Sequence, residues 1–374
     1  MKKKEAKKDP KDMRHGYTTG ACATAATRAA LTALIFQELQ KEATITLPIG
    51  KQVSFEISTC EFTGESATAG TIKDGGDDPD ATHGALILST VSWSKVSGVE
   101  LDGGIGVGRV TKPGLPVEVG KAAINPVPYK MIMEVTQSIL QQFEIQEGVR
   151  VVISVPDGEE IAKKTLNARL GIIGGISILG TRGTVVPFST SAYKASIAHA
   201  INVAVTVGCE HLVLATGGRS EKFGMELYPD LPEEAFIEMG DFIGFTLKTC
   251  KNKKVKKVTL VGMMGKFSKV ANGVMMVHSK SAPIDFNFLA KVAAESNVDE
   301  TTLENIKSAN TASQVGEMML EQNNDLFFDK LCEYCCLSGL NEVDGNIEIE
   351  TVISTLKGVL LGRKTLYSTL QNEE

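Results

Sequence analysis

Apolar residues, mostly Ala with Leu and Ile, crowd the segment from residue 18 to about residue 40 and predict one long helix with a broad apolar face. The next two segments, 43–48 and 52–58, alternate apolar and polar positions around Ile49-Gly50-Lys51 and read as a hairpin. Further strands are expected at 66–73, 85–94 and 96–101. Residues 103 to 114 hold five Gly and one Pro, the composition of a tight loop or bent strand. Pro126 or Pro128 can open a helix at its first turn, running to about residue 142.

Beyond Gly148 the pattern changes. Residues 149–155 are mostly apolar and read as a strand buried on both faces. A helix at 159–170, a strand at 175–179, a helix at 192–207, a strand at 211–215, a helix at 235–249 and a strand at 255–261 follow. Strands alternating with helices imply βαβ units with right-handed crossovers and a mostly parallel sheet. The last 80 residues read as mainly helical, at 287–296, 302–322, 325–337 and 347–361. The expected fold is therefore an α+β N-terminal domain (15–147) followed by an α/β, Rossmann-like domain (148–374) with a mostly parallel open sheet and a helical C-terminal region.

Composition narrows the function. At 374 residues, 43% hydrophobic and 22% charged, the chain can bury a sizeable core. A net charge of −6 and a single Trp disfavour nucleic-acid binding. Residues 1–14 carry seven basic and three acidic residues and read as a solvated basic tail without the apolar core of a signal peptide. No run of 18 apolar residues suggests a membrane span. Seven Cys, an odd number, fit reduced thiols in the cytoplasm. Cys332, Cys335 and Cys336 share a predicted helix with no second Cys pair or nearby His, so helix packing is favoured over a metal site.

The candidate chemistry lies in turns. His15-Gly16-Tyr17-Thr18-Thr19-Gly20-Ala21-Cys22-Ala23 puts two hydroxyls and a Gly where a helix begins, as either an N-cap or an anion site. Four Gly-rich or polar turns, at 156–159, 180–184, 216–221 and 262–266, are expected at strand ends of one sheet, where open α/β sheets bind ligands. None spells a dinucleotide fingerprint or a P-loop. The acid-rich stretch from Asp74 to Gly84 is a turn or part of a site, with Asp80 and His83 as candidate proton-moving groups. Asn125 precedes Pro126 at a turn, and His199 sits mid-helix as a packing residue. His278 lies near Lys266, Lys269 and Lys280, which could form an anion-binding rim.

Taken in order, several of these segments resemble the CbiD family. They are His15-Gly16-Tyr17-Thr18-Thr19-Gly20, Asp77-Asp78-Pro79-Asp80, and the Gly-rich run from Gly104 to Leu115. Ala123-Ile124-Asn125-Pro126-Val127-Pro128 and the stretch from Lys164 to Thr181 continue the series. Thr216-Gly217-x-Arg219-Ser220-Glu221, Gly240-Asp241-Phe242 and Gly265-Lys266-x-x-Lys269 complete it. The lysine-rich head and the Cys cluster fall outside that likeness.

The resemblance implies transfer of a methyl group from S-adenosylmethionine to C1 of cobalt-precorrin-5B in anaerobic cobalamin synthesis, giving cobalt-precorrin-6A and S-adenosylhomocysteine. Cobalt would enter only as part of the substrate, and no protein metal site is expected. The sulfonium methyl is already electrophilic, so alignment and water exclusion matter more than acid–base machinery. Asp80 or His83 would move any proton. The substrate is a small-molecule tetrapyrrole bearing many carboxylates; Tyr17, Thr18, Thr19, Arg109, Asn125, Arg169, Arg219, Lys266 and Lys269 are its candidate partners, with Lys112 and Arg182 beside them. Gly174, Gly175, Thr181, Gly217, Gly218, Glu221 and Asp241 would hold the methyl donor, by analogy with dinucleotide folds. No nucleic-acid or membrane partner is expected. The rival readings are a tetrapyrrole carrier without chemistry and a nucleotide-binding α/β transferase.

Overall fold

The Thr18 hydroxyl accepts the Ala21 amide and starts the first helix where the sequence places its cap. That helix is long and apolar enough to cross a membrane, yet most of it is buried against a sheet. These features come from a computed structural model that describes residues 12–278 and 281–367. Most of the expected basic tail, and Lys280, lie outside the described residues. The chain divides into two units, Met1–Thr190 and Ser191–Glu374.

In chain order the first unit contains β1 (Gly16–Tyr17), α1 (Thr19–Phe36), β2 (Glu42–Thr46), β3 (Gln52–Glu56), β4 (Thr59–Phe62) and β5 (Ser66–Ile72). It continues with β6 (Leu86–Ser94), β7 (Val99–Gly103), β8 (Gly106–Val107), β9 (Arg109–Val110) and α2 (Pro126–Gln142). β10 (Gly148–Ser154), α3 (Gly158–Ala162), β11 (Ile172–Ile173), β12 (Gly175–Ile176) and β13 (Thr184–Val185) close it. The main sheet has the order β4-β5-β6-β10-β7, antiparallel except for the β10–β7 pair. Its buried face carries Ala67, Ala69, Ile87, Val91, Val149, Val151 and Ile153, and the small side chains of α1 let the helix lie close upon it. Each valine or isoleucine so buried contributes about 1.5–3 kcal/mol, and each alanine less. A buried hydroxyl pair, Thr27 Oγ1 to Ser89 Oγ at 2.9 Å, joins helix to sheet.

The second unit contains α4 (Thr190–Thr206), β14 (His211–Ala215), α5 (Gly218–Leu227), β15 (Phe236–Glu238), α6 (Ile243–Asn252), β16 (Lys257–Gly262) and α7 (Met264–Ala271). After these come α8 (Phe286–Ala294), α9 (Glu300–Lys307), α10 (Ala312–Glu321), α11 (Asp325–Glu342), β17 (Glu348–Ser354) and β18 (Leu360–Tyr367). The sheet order is β15-β14-β16-β17-β18; the first four strands are parallel and β18 runs antiparallel on the edge. α5 packs on the face that carries Val213 and Val261, and α11 on the opposite face at Ile349. β15 lies on one side of β14 and β16 on the other, so the strand order reverses between β14 and β16. That reversal is the switch point at which open α/β sheets form a crevice beyond the strand C-termini.

Several expectations are corrected. The domain boundary near 147 is displaced to 190, because β10 pairs with β6 and β7 inside the first unit's sheet. β10 is also covered on one face only: Val149, Val151 and Ile153 are buried, while Arg150 is exposed and Val152 and Ser154 are half-buried. The helix expected at 159–170 stops at Ala162, where turns take over. Residues 236–238 of the helix expected at 235–249 form β15, and the helix begins only at Ile243. The last expected helix, 347–361, is instead the β17–β18 hairpin; Ile347, Ile349, Val352 and Ile353 suit a buried strand. The single helix expected over 302–322 is two, because Thr311 caps α10 by accepting the Gln314 amide at 3.1 Å.

Candidate functional site

Two of the four polar turns meet at the switch point of the second unit. Thr216–Ser220 follows β14 and Met263–Lys266 follows β16, and both line a cavity of about 860 Å³. The other two, at 156–159 and 180–184, belong to the first unit, so the four do not share one sheet as expected. The opposite walls come from α10, through Ser313, Gly316, Glu317 and Leu320, and from the hairpin tip at Thr355, Leu356, Lys357 and Val359. The α10 residues are spaced so that one helix face looks into the cavity. Its volume suits a drug- or cofactor-sized ligand.

The floor is bare backbone. A Cβ added at Gly217, Gly218 or Gly265 would meet nothing within 4 Å, so these positions open directly onto the space. Gly218 and Met264 begin α5 and α7, which turn free amide groups and positive helix ends toward it. Lys266 braces the floor: its Nζ donates to the Thr216 carbonyl at 2.8 Å and pairs with Asp241 Oδ1 at 3.0 Å. Arg219, in the first turn of α5, is exposed.

The remaining donor-site candidates are elsewhere. Asp241 is held by Lys266, and Glu221 does not line the cavity. With Glu238 they surround Tyr193, whose phenol is pushed up to about 12 by burial and then by these carboxylates. Gly174, Gly175 and Thr181 lie in the first unit. Gly175 is glycine because a Cβ there would strike the Gly106 carbonyl across the β8–β12 pair. The Asn167 amide also donates to the Gly175 carbonyl at 3.0 Å. Lys269 belongs to no rim: it is 8% exposed and its Nζ donates to the Val277 carbonyl at 3.4 Å.

In the first unit the motifs brace one another. Thr19 Oγ1 accepts the Leu179 amide at 2.8 Å and lies within bonding distance of the Ser177 carbonyl at 3.2 Å. The Gly20 amide donates to the Leu179 carbonyl at 3.0 Å, and Thr18 Oγ1 accepts the Ala21 amide at 3.2 Å. With both threonines buried, the α1 N-terminus is closed by protein groups, and the N-cap alternative describes it. Tyr17 belongs to β1, whose pairing with β13 is flanked by the Tyr17 amide donating to the Asp74 carbonyl at 2.7 Å. A small cavity of about 250 Å³ lies beside Tyr17, Phe55 and Asp74.

The acid-rich loop is a built structure. The buried Lys73 ammonium meets Asp80 Oδ2 at 2.5 Å, and Asp80 Oδ1 accepts the Thr82 amide at 2.7 Å and hydroxyl at 2.6 Å. Burial opposes the Asp80 charge, but Lys73 and Thr82 outweigh it and hold the carboxyl below its usual range. His83 Nδ1 accepts the Gly75 amide at 3.0 Å, so in the neutral ring Nε2 carries the proton. Asp74 is fixed by Arg14, chiefly through their hydrogen bonds, and is lowered to about 2.

Arg109 Nη2 donates to Asp102 Oδ2 at 2.8 Å and to the Gly103 carbonyl at 3.1 Å, leaving the guanidinium nearly half exposed. Its register partner on β11, Ile173, is exposed as well. Asn125 is half-buried at the start of α2, and Arg169 is half-buried in the turns before β11. Sequence reading missed Glu317 and the hairpin tip, the first for want of the α9–α10 break and the second for the mistaken final helix.

Cys335 Sγ donates to the Phe267 carbonyl at 3.3 Å and Cys336 Sγ to Thr351 Oγ1 at 3.2 Å; with Cys332 they pack in the core. Among the described residues no group of three or more His, Cys, Asp or Glu side chains is placed to hold a metal ion.

Comparison with known proteins gives a consistent result. The CbiD family model matches residues 6–187 and the CbiD C-terminal domain model matches residues 276–365. A Priestia megaterium protein named cobalt-precorrin-5B C(1)-methyltransferase is 66% identical over 360 residues, covering 96% of this chain and 98% of that protein. One of the same name from Geobacillus sp. (strain WCH70) is 66% identical, covering 94% of this chain and 97% of the relative. A 1.9 Å crystal structure of the cobalamin biosynthesis protein CbiD from Archaeoglobus fulgidus is 30% identical, with a TM-score of 0.38, over 70% of this chain and 80% of that one.

Proposed function

The chain belongs to the CbiD family, and from that premise we propose that it methylates C1 of cobalt-precorrin-5B, with S-adenosylmethionine bound in the second unit's cavity. The observation that carries the placement is the bare-glycine floor at the strand switch point, where Gly217, Gly218 and Gly265 leave room for close backbone approach. The donor supplies an electrophilic methyl group. The carbon–sulfur bond breaks as C1 of the macrocycle forms its new bond to that methyl, and neutral S-adenosylhomocysteine sulfur leaves without needing a proton.

The protein's task is therefore alignment and exclusion of water. Gly218 and Gly265 admit the donor, Lys266 and Asp241 fix the two floor loops, and Leu320, Leu356 and Val359 make the walls apolar. In the first unit, Arg109 beside the exposed Ile173 offers a cation and an apolar surface together, the chemistry that a carboxylate-edged macrocycle requires. Arg169, Arg182 and Asn125 are further candidates for those carboxylates. Asp80 acts as a positioning residue, since both of its oxygens are engaged. His83 accepts the Gly75 amide at Nδ1, which leaves Nε2–H as a hydrogen-bond donor. Thr18 and Thr19 position the 177–183 segment from behind.

Anaerobic incubation with cobalt-precorrin-5B and methyl-labelled S-adenosylmethionine tests the reading. One labelled methyl at C1, read by mass spectrometry and NMR, supports it. A folded protein that leaves intact substrate unlabelled refutes it and favours a carrier.

A further inference from the structure

The cavity walls carry charges of both signs that the floor does not use. Among the described residues, Glu317 on α10, Arg219 on α5 and Lys357 on the hairpin tip line the cavity, are exposed, and form no ion pair. Lys266 is already committed to Thr216 and Asp241. An acid and a guanidinium free in one cavity match a zwitterion, and the amino-acid end of the methyl donor is one. We propose that Glu317 holds the α-ammonium group of the donor and Arg219 its carboxylate. The proposal rests on the placement of the donor in this cavity.

The carboxylate belongs with Arg219 because that residue stands in the first turn of α5, beside the bare backbone of Gly217 and Gly218. A planar guanidinium and free amides at a helix N-terminus reinforce each other toward an anion. Lys357 stands on a hairpin tip that offers no such amides.

Two cationic groups of the donor could in principle attract Glu317, the ammonium and the sulfonium. The sulfonium charge disappears as the methyl leaves, so a carboxylate against sulfur would stabilise the bound donor more than the transition state and slow transfer. The ammonium keeps its charge throughout. Glu317 on the ammonium therefore strengthens binding without opposing the reaction, and it strengthens donor and demethylated product alike.

Calorimetric titration of the full chain with S-adenosylmethionine, S-adenosylhomocysteine and decarboxylated S-adenosylmethionine tests this. E317Q is expected to weaken all three about 10-fold or more. R219M is expected to weaken the first two by a similar factor and leave the decarboxylated ligand unaffected. Both side chains are exposed, so the variants keep the wild-type melting temperature. Unchanged affinities in E317Q overturn the proposal. So does a loss confined to the two sulfonium ligands, which would place the carboxylate at sulfur. Equal loss of all three ligands in R219M overturns the Arg219 assignment. A wild-type protein that binds none of them refutes the donor cavity itself, whereas tight wild-type binding with indifferent variants refutes only this assignment.

Discussion

Lys73 and Asp80 meet at 2.5 Å in the first unit, with 1% of the lysine side chain exposed, and this contact holds the acid-rich loop. A buried pair broken on one side leaves an uncompensated charge. Asp80→Ala should therefore destabilise the first unit by about 3–5 kcal/mol, measured as a lower urea midpoint. Asp80 has its carboxyl lowered in the folded state, so its contribution is present above the unfolded carboxylate range and is lost as pH falls through the folded value. A variant of unchanged stability but lost activity would instead make Asp80 a catalytic group.

Thr19 makes a related prediction. Its buried hydroxyl accepts the Leu179 amide, so Thr19→Val should cost about 1–3 kcal/mol and lower the melting temperature. Thr18→Val removes the cap of α1 and adds about 1 kcal/mol. The anion-site alternative predicts the opposite, a weakened substrate KM with intact stability, and steady-state kinetics beside a thermal melt separate the two.

In the second unit the Glu350 carboxylate, with 2% of its side chain exposed, accepts from Thr259 Oγ1 at 2.7 Å and from Arg363 Nε at 2.5 Å, and also from Tyr228. Burial opposes its charge, but these partners prevail and lower it to about 2. The depressed value stabilises the fold above the unfolded glutamate range, about 4.3, and this is lost as pH falls toward 2. Glu350→Gln should therefore lower the urea midpoint at pH 7, with the gap from wild type closing as the pH approaches 2. A gap independent of pH would mean that the charge contributes nothing.

The thiols of Cys332, Cys335 and Cys336 are raised, first of all by burial. Thiolate, not thiol, reacts. All three should resist iodoacetamide in the native protein at pH 8 and react on denaturation, as read by mass spectrometry of peptides. Rapid native alkylation would contradict their place in the core.

Much of the fold was legible because local signals agreed with tertiary context. The alanines of α1, the alternation in β2 and β3, and Pro126 at the start of α2 each carried one meaning. β10 misled because its valines and isoleucine suggest a central parallel strand, while Arg150 and Ser154 mark a one-sided strand whose partners, β6 and β7, lie earlier in the sequence. The final hairpin was lost for a similar reason: the isoleucines and valines of β17 mark a strand, but only pairing with β16 and β18 makes it one.

The site was half legible. Thr216–Glu221 and Gly265-Lys266 announced a ligand turn through their glycines, and the structure brings them together at one switch point. Gly175 also looked like such a signal, yet it serves close packing against Gly106, a distinction that requires knowing which backbone lies opposite. Glu317 gave no local signal, since an acid on an amphipathic helix is ordinarily solvated.

The donor cavity is tested most directly by equilibrium binding of methyl-labelled S-adenosylmethionine to the wild-type chain and to Gly265→Leu. A Cβ at Gly265 would meet nothing within 4 Å and the residue lines the cavity, so the variant should fold while the larger side chain takes space from the donor. Saturable binding by wild type is expected, with a loss of at least about tenfold in affinity, about 1.4 kcal/mol, in a Gly265→Leu protein of unchanged melting temperature. Equal affinity in the two proteins would contradict this placement and move the donor out of this cavity.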